Sequence, residues 1–264
     1  MHATETMAWI VAGTLAAVAD YGLGVGFGLA ASLILAGILG YDPRLVASSA
    51  ALAQMASSLP AVAGNSRAGT LDRSIIAENL EAIAILGLAA TIGGALGAAG
   101  LASAEPRTAR IVYTIGMAGL LAATGVVLLD PGPQAPARRE PGTLAAAALG
   151  FAAGVEKSIV GGGFTLVLVA GQRLLGFEAK KALALAPLVK MAPFIAVSLA
   201  YSVAGVLELQ PAAALALGAV AATPLASRVL AGSTEIMIKA ALAASTLLGL
   251  ALAAARIHGA LRPL

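Results

Sequence analysis

Positions 20–28 read DYGLGVGFG, an acid followed by four glycines at every second position, inside an apolar run from Met7 to Gly40. Positions 156–164 read EKSIVGGGF, again an acid and a glycine cluster, inside the apolar stretch from Thr143 to Gly171. Glycine costs about 1 kcal/mol per residue in a helix interior. Clustered beside a charge, it predicts a break: two half-helices joined by an irregular turn. Irregular backbone at membrane depth survives only where protein buries it or where it lines a watery cavity.

That the setting is a membrane follows from composition. The chain of 264 residues is 59% hydrophobic and 11% charged, against roughly 25% charged in soluble domains, and its mean hydropathy is +0.94. It lacks the polar residues to cover a globular surface. Windows of about 20 apolar residues, enough to cross a hydrocarbon core, recur at 7–40, 45–64, 75–102, 108–129, 143–171, 182–207, 211–231 and 236–255. The short alternating segments of a barrel are missing, so the fold class is all-α, a polytopic helical membrane protein. Ala17-Val18-Ala19 mimics a signal-peptidase site, but Met1–Thr6 carry no Lys or Arg, and the segment is expected to be retained.

Cysteine is absent and histidine occurs only at His2 and His258. No disulfide, thiolate chemistry, metal or cofactor is therefore expected. An intramembrane enzyme would need a Ser/His pair, paired acids or metal ligands. The two internal acids lie in different halves, so no catalytic residue is assigned and enzyme activity is a weak alternative. The formal charge of +3 comes from Lys and Arg scattered over short loops. That pattern suits contact with anionic lipid rather than nucleic acid.

The polar, Pro-rich stretch DPGPQAPARREPG (130–142) divides the chain into nearly equal halves. At a constant offset of 136 positions, LGYDPRLVASSAALAQMA (39–56) lies over LGFEAKKALALAPLVKMA (175–192), and AGTLD (68–72) over AGVLE (204–208). Polar punctuation matches too: Asp20 with Glu156, Asp42 with Glu178, Arg44 with Lys180, Asp72 with Glu208. The expected organisation is a first transmembrane repeat at 1–129, a linker at 130–142 and a second repeat at 143–264. If each broken run forms a re-entrant hairpin, every copy crosses three times and the copies are inverted. The basic loops at 65–73, 130–142, 171–181 and 228–234 then share one face, which the positive-inside rule makes cytoplasmic. If each run crosses once, the copies are parallel and the charges show no preference.

Broken helices in paired positions of two repeats point to a transporter binding site. A half-helix ending at mid-membrane directs free N–H groups and partial positive charge into the break. Gly24, Gly26 and Gly28 of the first copy and Gly161, Gly162 and Gly163 of the second are the candidates to approach an anion there. Intramembrane ionisable residues are functional candidates by default: Asp20, Glu156, Lys157 and Lys190. Lys190 and its repeat mate Gln54 supply a cation and an amide donor. The plain alternative for Lys190 is an internal ion pair with Glu156. Asp20 and Glu156 sit badly beside an anion unless they take up protons, which assigns them, with Lys157, to proton coupling or gating. Most membrane serines bond back to their own helix, so only Ser48 and Ser49 of the two serine pairs join the donors. The small-residue face from Ile92 to Gly97 suits a homodimer or packing within the chain.

The duplicated pattern is DYGLGVGFG, ASSAALAQ (47–54) and AGTLD, then EKSIVGGGF, ALAPLVK (184–190) and AGVLE. Over essentially the whole chain it resembles the TauE/SafE family of membrane permeases, the sulfite-exporter group. The resemblance implies a multi-pass protein of a prokaryotic cytoplasmic membrane that moves small inorganic or organosulfur anions such as sulfite or sulfonates. A passive anion channel is the alternative within the same architecture. GVGFG stands where the family shows adjacent glycines, and Lys190 where many members carry smaller or neutral residues, which leaves the particular anion open.

Overall fold

The structure is a computed structural model, and it describes residues 1–105, 108, 111, 142–160, 164–165, 167–169, 179–234, 236–241, 243–244 and 247. All of its elements are helices. The first, α1 (Ala3–Ala17), widens into a π-helical turn over Val18–Gly22. Helix structure then stops at Leu23–Gly26, where Gly24 and Gly26 take φ of 78° and 93°. Only glycine adopts such angles without strain. The chain restarts as α2 (Phe27–Ser32) and ends in a second π-helical stretch, Leu33–Ile38. The break expected at DYGLGVGFG is therefore present. Gly161, Gly162 and Gly163 of the second glycine cluster lie outside the described residues, as do most of 108–129 and 236–255.

Next come α3 (Pro43–Arg67), α4 (Arg73–Glu78) and α5 (Leu80–Ser103), then α6 (Thr143–Val160), α7 (Ala179–Val203) and α8 (Leu209–Gly232). Four of these helices, α3, α5, α7 and α8, are long and apolar enough to span a membrane. The start of α3 is set by Asp42, which accepts from Arg44 N at 2.7 Å, with Pro43 at the first helical position. Pro there gives up only an N–H that the helix leaves free.

The C-terminal ends of α3 and α7 fall at the 136-position offset, Arg67 with Val203. Their exits match bond for bond. Gly69 and Gly205 have φ of 71° and 69°. Thr70 N donates to Asn65 O as Val206 N does to Tyr201 O, and Gly69 N donates to Ser66 O as Gly205 N does to Ser202 O. The sequence AG-x-[LV]-[DE] thus encodes the same left-handed helix stop twice.

The helices cross closely through small residues. Alongside α1, α8 runs parallel: Met1 N meets Gln210 Oε1 at 3.1 Å, Thr14 Oγ1 meets Gly218 O at 3.4 Å, and Gly22 lies against Ala226 and Val229. A Cβ at Gly13 or Gly218 would overlap the facing backbone carbonyl, of Leu215 or Ile10 respectively. Helices α5 and α6 repeat that arrangement, with Gly150 on Leu86, Gly154 on Ala90 and Ser158 Oγ donating to Gly94 O at 2.6 Å. The glycines between Ile92 and Gly97 are filled this way by α6, within the chain, while Ile92 and Leu96 point outward. At the centre α3 and α7 run antiparallel: Asn65 Nδ2 donates to Ala184 O at 3.3 Å, and Ala51 packs with Val197 and Tyr201.

Large apolar side chains such as Leu59, Leu88, Ile195, Leu199 and Leu217 are exposed, whereas Ala, Ser and Gly fill the interior. This is the pattern of a bundle whose outer solvent is lipid, in which close packing of small residues takes over from hydrophobic burial.

Candidate functional site

Asp20 lies in the π-helical turn just before the break and is 0% exposed. Its Oδ2 accepts from Lys190 Nζ at 2.5 Å and from Gln54 Nε2 at 3.3 Å, and its Oδ1 accepts from Thr165 Oγ1. One carboxylate thus gathers a cation from α7, an amide from α3 and a hydroxyl that follows Gly161–Gly163 by two positions. Lys190 is also 0% exposed, and its Nζ stands 4.8 Å from the centroid of the Tyr21 ring, a cation–π contact. The Tyr21 hydroxyl pairs with Ser57 Oγ at 2.8 Å, and Ser57 bonds back to Ala53 O. Gln54 Oε1 is buried and has no donor among the described residues.

Lys157 is buried, with Nζ 5.0 Å from the centroid of Phe194, and lies within Coulombic reach of Glu156, Asp20 and Lys190. Two acids and two lysines therefore share one interior region. Buried charges persist only when paired and hydrogen-bonded. The broken helix meets that need for Asp20: the widened turn places its carboxylate between α3 and α7.

The candidate residues are only partly brought together. Asp20, Gln54 and Lys190 form one contact group, with Gly24 and Gly26 in the adjoining break. Gly28 lies inside α2 and is buried. Ser48 bonds to Leu45 O at 3.1 Å and to Val206 O at 3.5 Å, so it serves the α3–α7 contact. Ser49 is buried with no hydroxyl partner among the described residues. Lys190 takes Asp20 as its ion-pair partner, because the widened turn carries that acid to α7.

Thr165, Tyr21 and Ser57 join the network without having been singled out by the sequence. The repeat mate of Thr165 is Leu29, so comparing the copies hides it. Ser57 does bond back to its own helix, as most membrane serines do, and holds Tyr21 as well. The available signal was a hydroxyl two positions after a glycine cluster in an apolar run. Among the described residues no cluster of His, Cys, Asp or Glu is placed to hold a metal ion.

A broken, charged interior within an apolar helical bundle describes many transporters, and relationship narrows the choice. The profile of one family, Sulfite exporter TauE/SafE, matches residues 9–253, which takes in both broken runs and the stretch between them. The chain belongs to the TauE/SafE family. No curated protein and no solved structure matches it. TauE/SafE members are transporters, and the apolar helices described above fit a multi-pass membrane protein of that family.

Proposed function

We propose that this TauE/SafE protein is a secondary permease that carries small sulfur-containing anions, such as sulfite or organosulfonates, across a prokaryotic cytoplasmic membrane. Its site lies where the two halves meet at the first glycine break. The observation that carries this reading is the Lys190 ammonium, fully buried beside Asp20, Gln54 and Thr165 at the unwound segment. A small anion taken into a dry interior is favoured by a buried cation with converging donors, and this cluster supplies one. The N-terminal end of α2, which restarts the helix at the break, adds to the same anion-favouring environment in this reading.

The halves 1–129 and 143–264, joined by the linker 130–142, are read as inverted copies of one unit. Matching C-terminal stops of α3 and α7 support duplication, and the antiparallel run of these two equivalent helices supports inversion. Further support comes from α1. A five-residue turn, 204–208, leads from α7 into α8, which runs back along α3, and α1 runs with α8. Between α1 and α3 the chain must return, and α2 with its π-helical continuation is the returning arm. The basic loops then gather on one face, the cytoplasmic one by the positive-inside rule.

Reconstituted protein should show saturable sulfite uptake driven by an imposed gradient, and Lys190→Gln should lower it at least tenfold, roughly the worth of one charged hydrogen bond. Flux that rises linearly with concentration would favour the passive channel. Flux unchanged in Lys190→Gln would remove the site.

A further inference from the structure

Gln54, Thr165 and Lys190 are donors held on three separate segments, and all three point at one acceptor, the Asp20 carboxylate. Resting on the permease reading above, we propose that Asp20 is the resident occupant of the anion subsite. Lys190 Nζ, Gln54 Nε2 and Thr165 Oγ1 are the subsite's donors, and a substrate anion enters by displacing the carboxylate.

Three features support exchange. First, the donors suit any small oxyanion. A carboxylate, a sulfite and a sulfonate each present an edge of two oxygens about as far apart, and a buried charge-assisted set does not distinguish the atom between them. Second, the acid stands on the segment best able to move. Gln54 and Lys190 sit within long helices, each of 25 residues. Asp20 sits in a widened turn that runs directly into Leu23–Gly26, where two glycines with positive φ interrupt the helical bonding. Third, two anions cannot share one cation in a dry site, so occupancy by Asp20 and by substrate is mutually exclusive.

The displaced carboxylate would carry an unpaired charge in the protein interior, and it leaves as the acid. Gln54 Oε1, a buried acceptor lacking a donor among the described residues, is available to accept a hydrogen bond from the protonated carboxyl. One proton gained by Asp20 therefore accompanies each anion bound. The groups facing Asp20 are Lys190 from α7, Gln54 from α3, Thr165, Lys157 from α6 with Glu156 beside it, and Tyr21 on its own turn. From α8 the apolar Ala226 and Val229 approach this turn at Gly22.

The test uses the full-length protein in detergent, with formate, sulfite and a chloride control at equal ionic strength. Asp20→Asn should unfold at a lower temperature than the parent, and both formate and sulfite should restore it by standing in for the missing carboxylate. Asp20→Asn should bind sulfite at least about tenfold more tightly than the parent, since one charged competitor is gone. The charge-neutral Asp20→Asn/Lys190→Gln double variant should respond to neither anion. Restoration by formate without any response to sulfite supports exchange and removes the sulfur-anion reading. A stable Asp20→Asn indifferent to both anions overturns the proposal. So does a double variant that responds as strongly as the single. Should Asp20→Asn not survive purification, the parent protein decides. Formate keeps its charge between about pH 5 and 8, and its affinity should rise as pH falls across that range. A flat profile overturns exchange.

Discussion

Gln54 and Lys190 hold the same position in α3 and α7, and both reach one oxygen of Asp20, at 3.3 and 2.5 Å. Duplicated helices thus meet at a single acceptor, one bringing an amide and the other a full charge. The backbone of the two copies has stayed matched at their helix stops, while the polar atoms that face the site have diverged. The α3 side of Asp20 is thus neutral and the α7 side cationic, an asymmetry on which the proposed anion site rests.

The pair should behave as a coupled unit. Removing either partner alone, in Asp20→Asn or Lys190→Gln, is expected to cost about 3–5 kcal/mol because the other charge is left buried. The double variant should recover most of that loss. Thermal unfolding of the four proteins in an anion-free buffer gives the coupling term, and additive losses would show that the two charges do not depend on each other.

The break should be sensitive to conformation rather than to size alone. Gly26→Ala and Gly40→Ala both force an alanine into positive φ, 93° and 77° respectively, at about 1–2 kcal/mol each. Gly40 lies in an exposed turn with nothing within 4 Å of an added Cβ. Gly26 adjoins the site. Sulfite flux per folded molecule should fall several-fold in Gly26→Ala and stay near the parent value in Gly40→Ala.

Orientation can be read with thiols, since the chain contains no cysteine. Ser66 and Ser202 are exposed and equivalent, each in the turn that ends its helix. Membrane-impermeant maleimide applied to intact cells should label Ser202→Cys and leave Ser66→Cys untouched until the membrane is opened. Labelling of both from one side would end the inverted arrangement.

Outside the bilayer, the cap of α4 gives a pH-dependent signal. Asp72 accepts from the Ile75 backbone N–H and the Ser74 hydroxyl, and these bonds hold its carboxyl below the ordinary value of 3.8. The lowered value means that the cap's contribution is complete above that value and is lost as pH falls through the range below it. Protection of the Arg73–Glu78 amides, measured against the intrinsic exchange rate at each pH, should fall between about pH 5 and pH 2, and in Asp72→Ala it should be equally low at both.

Much of the fold was legible because its signals are local. Glycine cost located the break at Gly24 and Gly26, and the repeated AG-x-[LV]-[DE] located two identical helix stops. Apolar run lengths located α3, α5, α7 and α8. At the site, cost of burial singled out Asp20 and Lys190 separately. Their pairing was not legible, because it depends on a π-helical turn that rotates Asp20 toward α7, and no propensity in VADYG announces an extra residue in a turn. Thr165 escaped for another reason: a lone hydroxyl is cheap to bury, so its presence in an apolar run carries little information.

The parallel pairing of α1 with α8 bears on how the protein is made. Thr14 meets Gly218, 204 residues later in the chain. At about 5–20 residues per second, ribosomes need roughly 10–40 s to deliver that partner. During this interval Gly13 of α1 lacks the Leu215 backbone that later fills its face, and Asp20 must wait almost as long for its lysine. The nascent first half is thus an unfinished wall, and a premature stop before α8 should yield a product that the cell's membrane proteases remove.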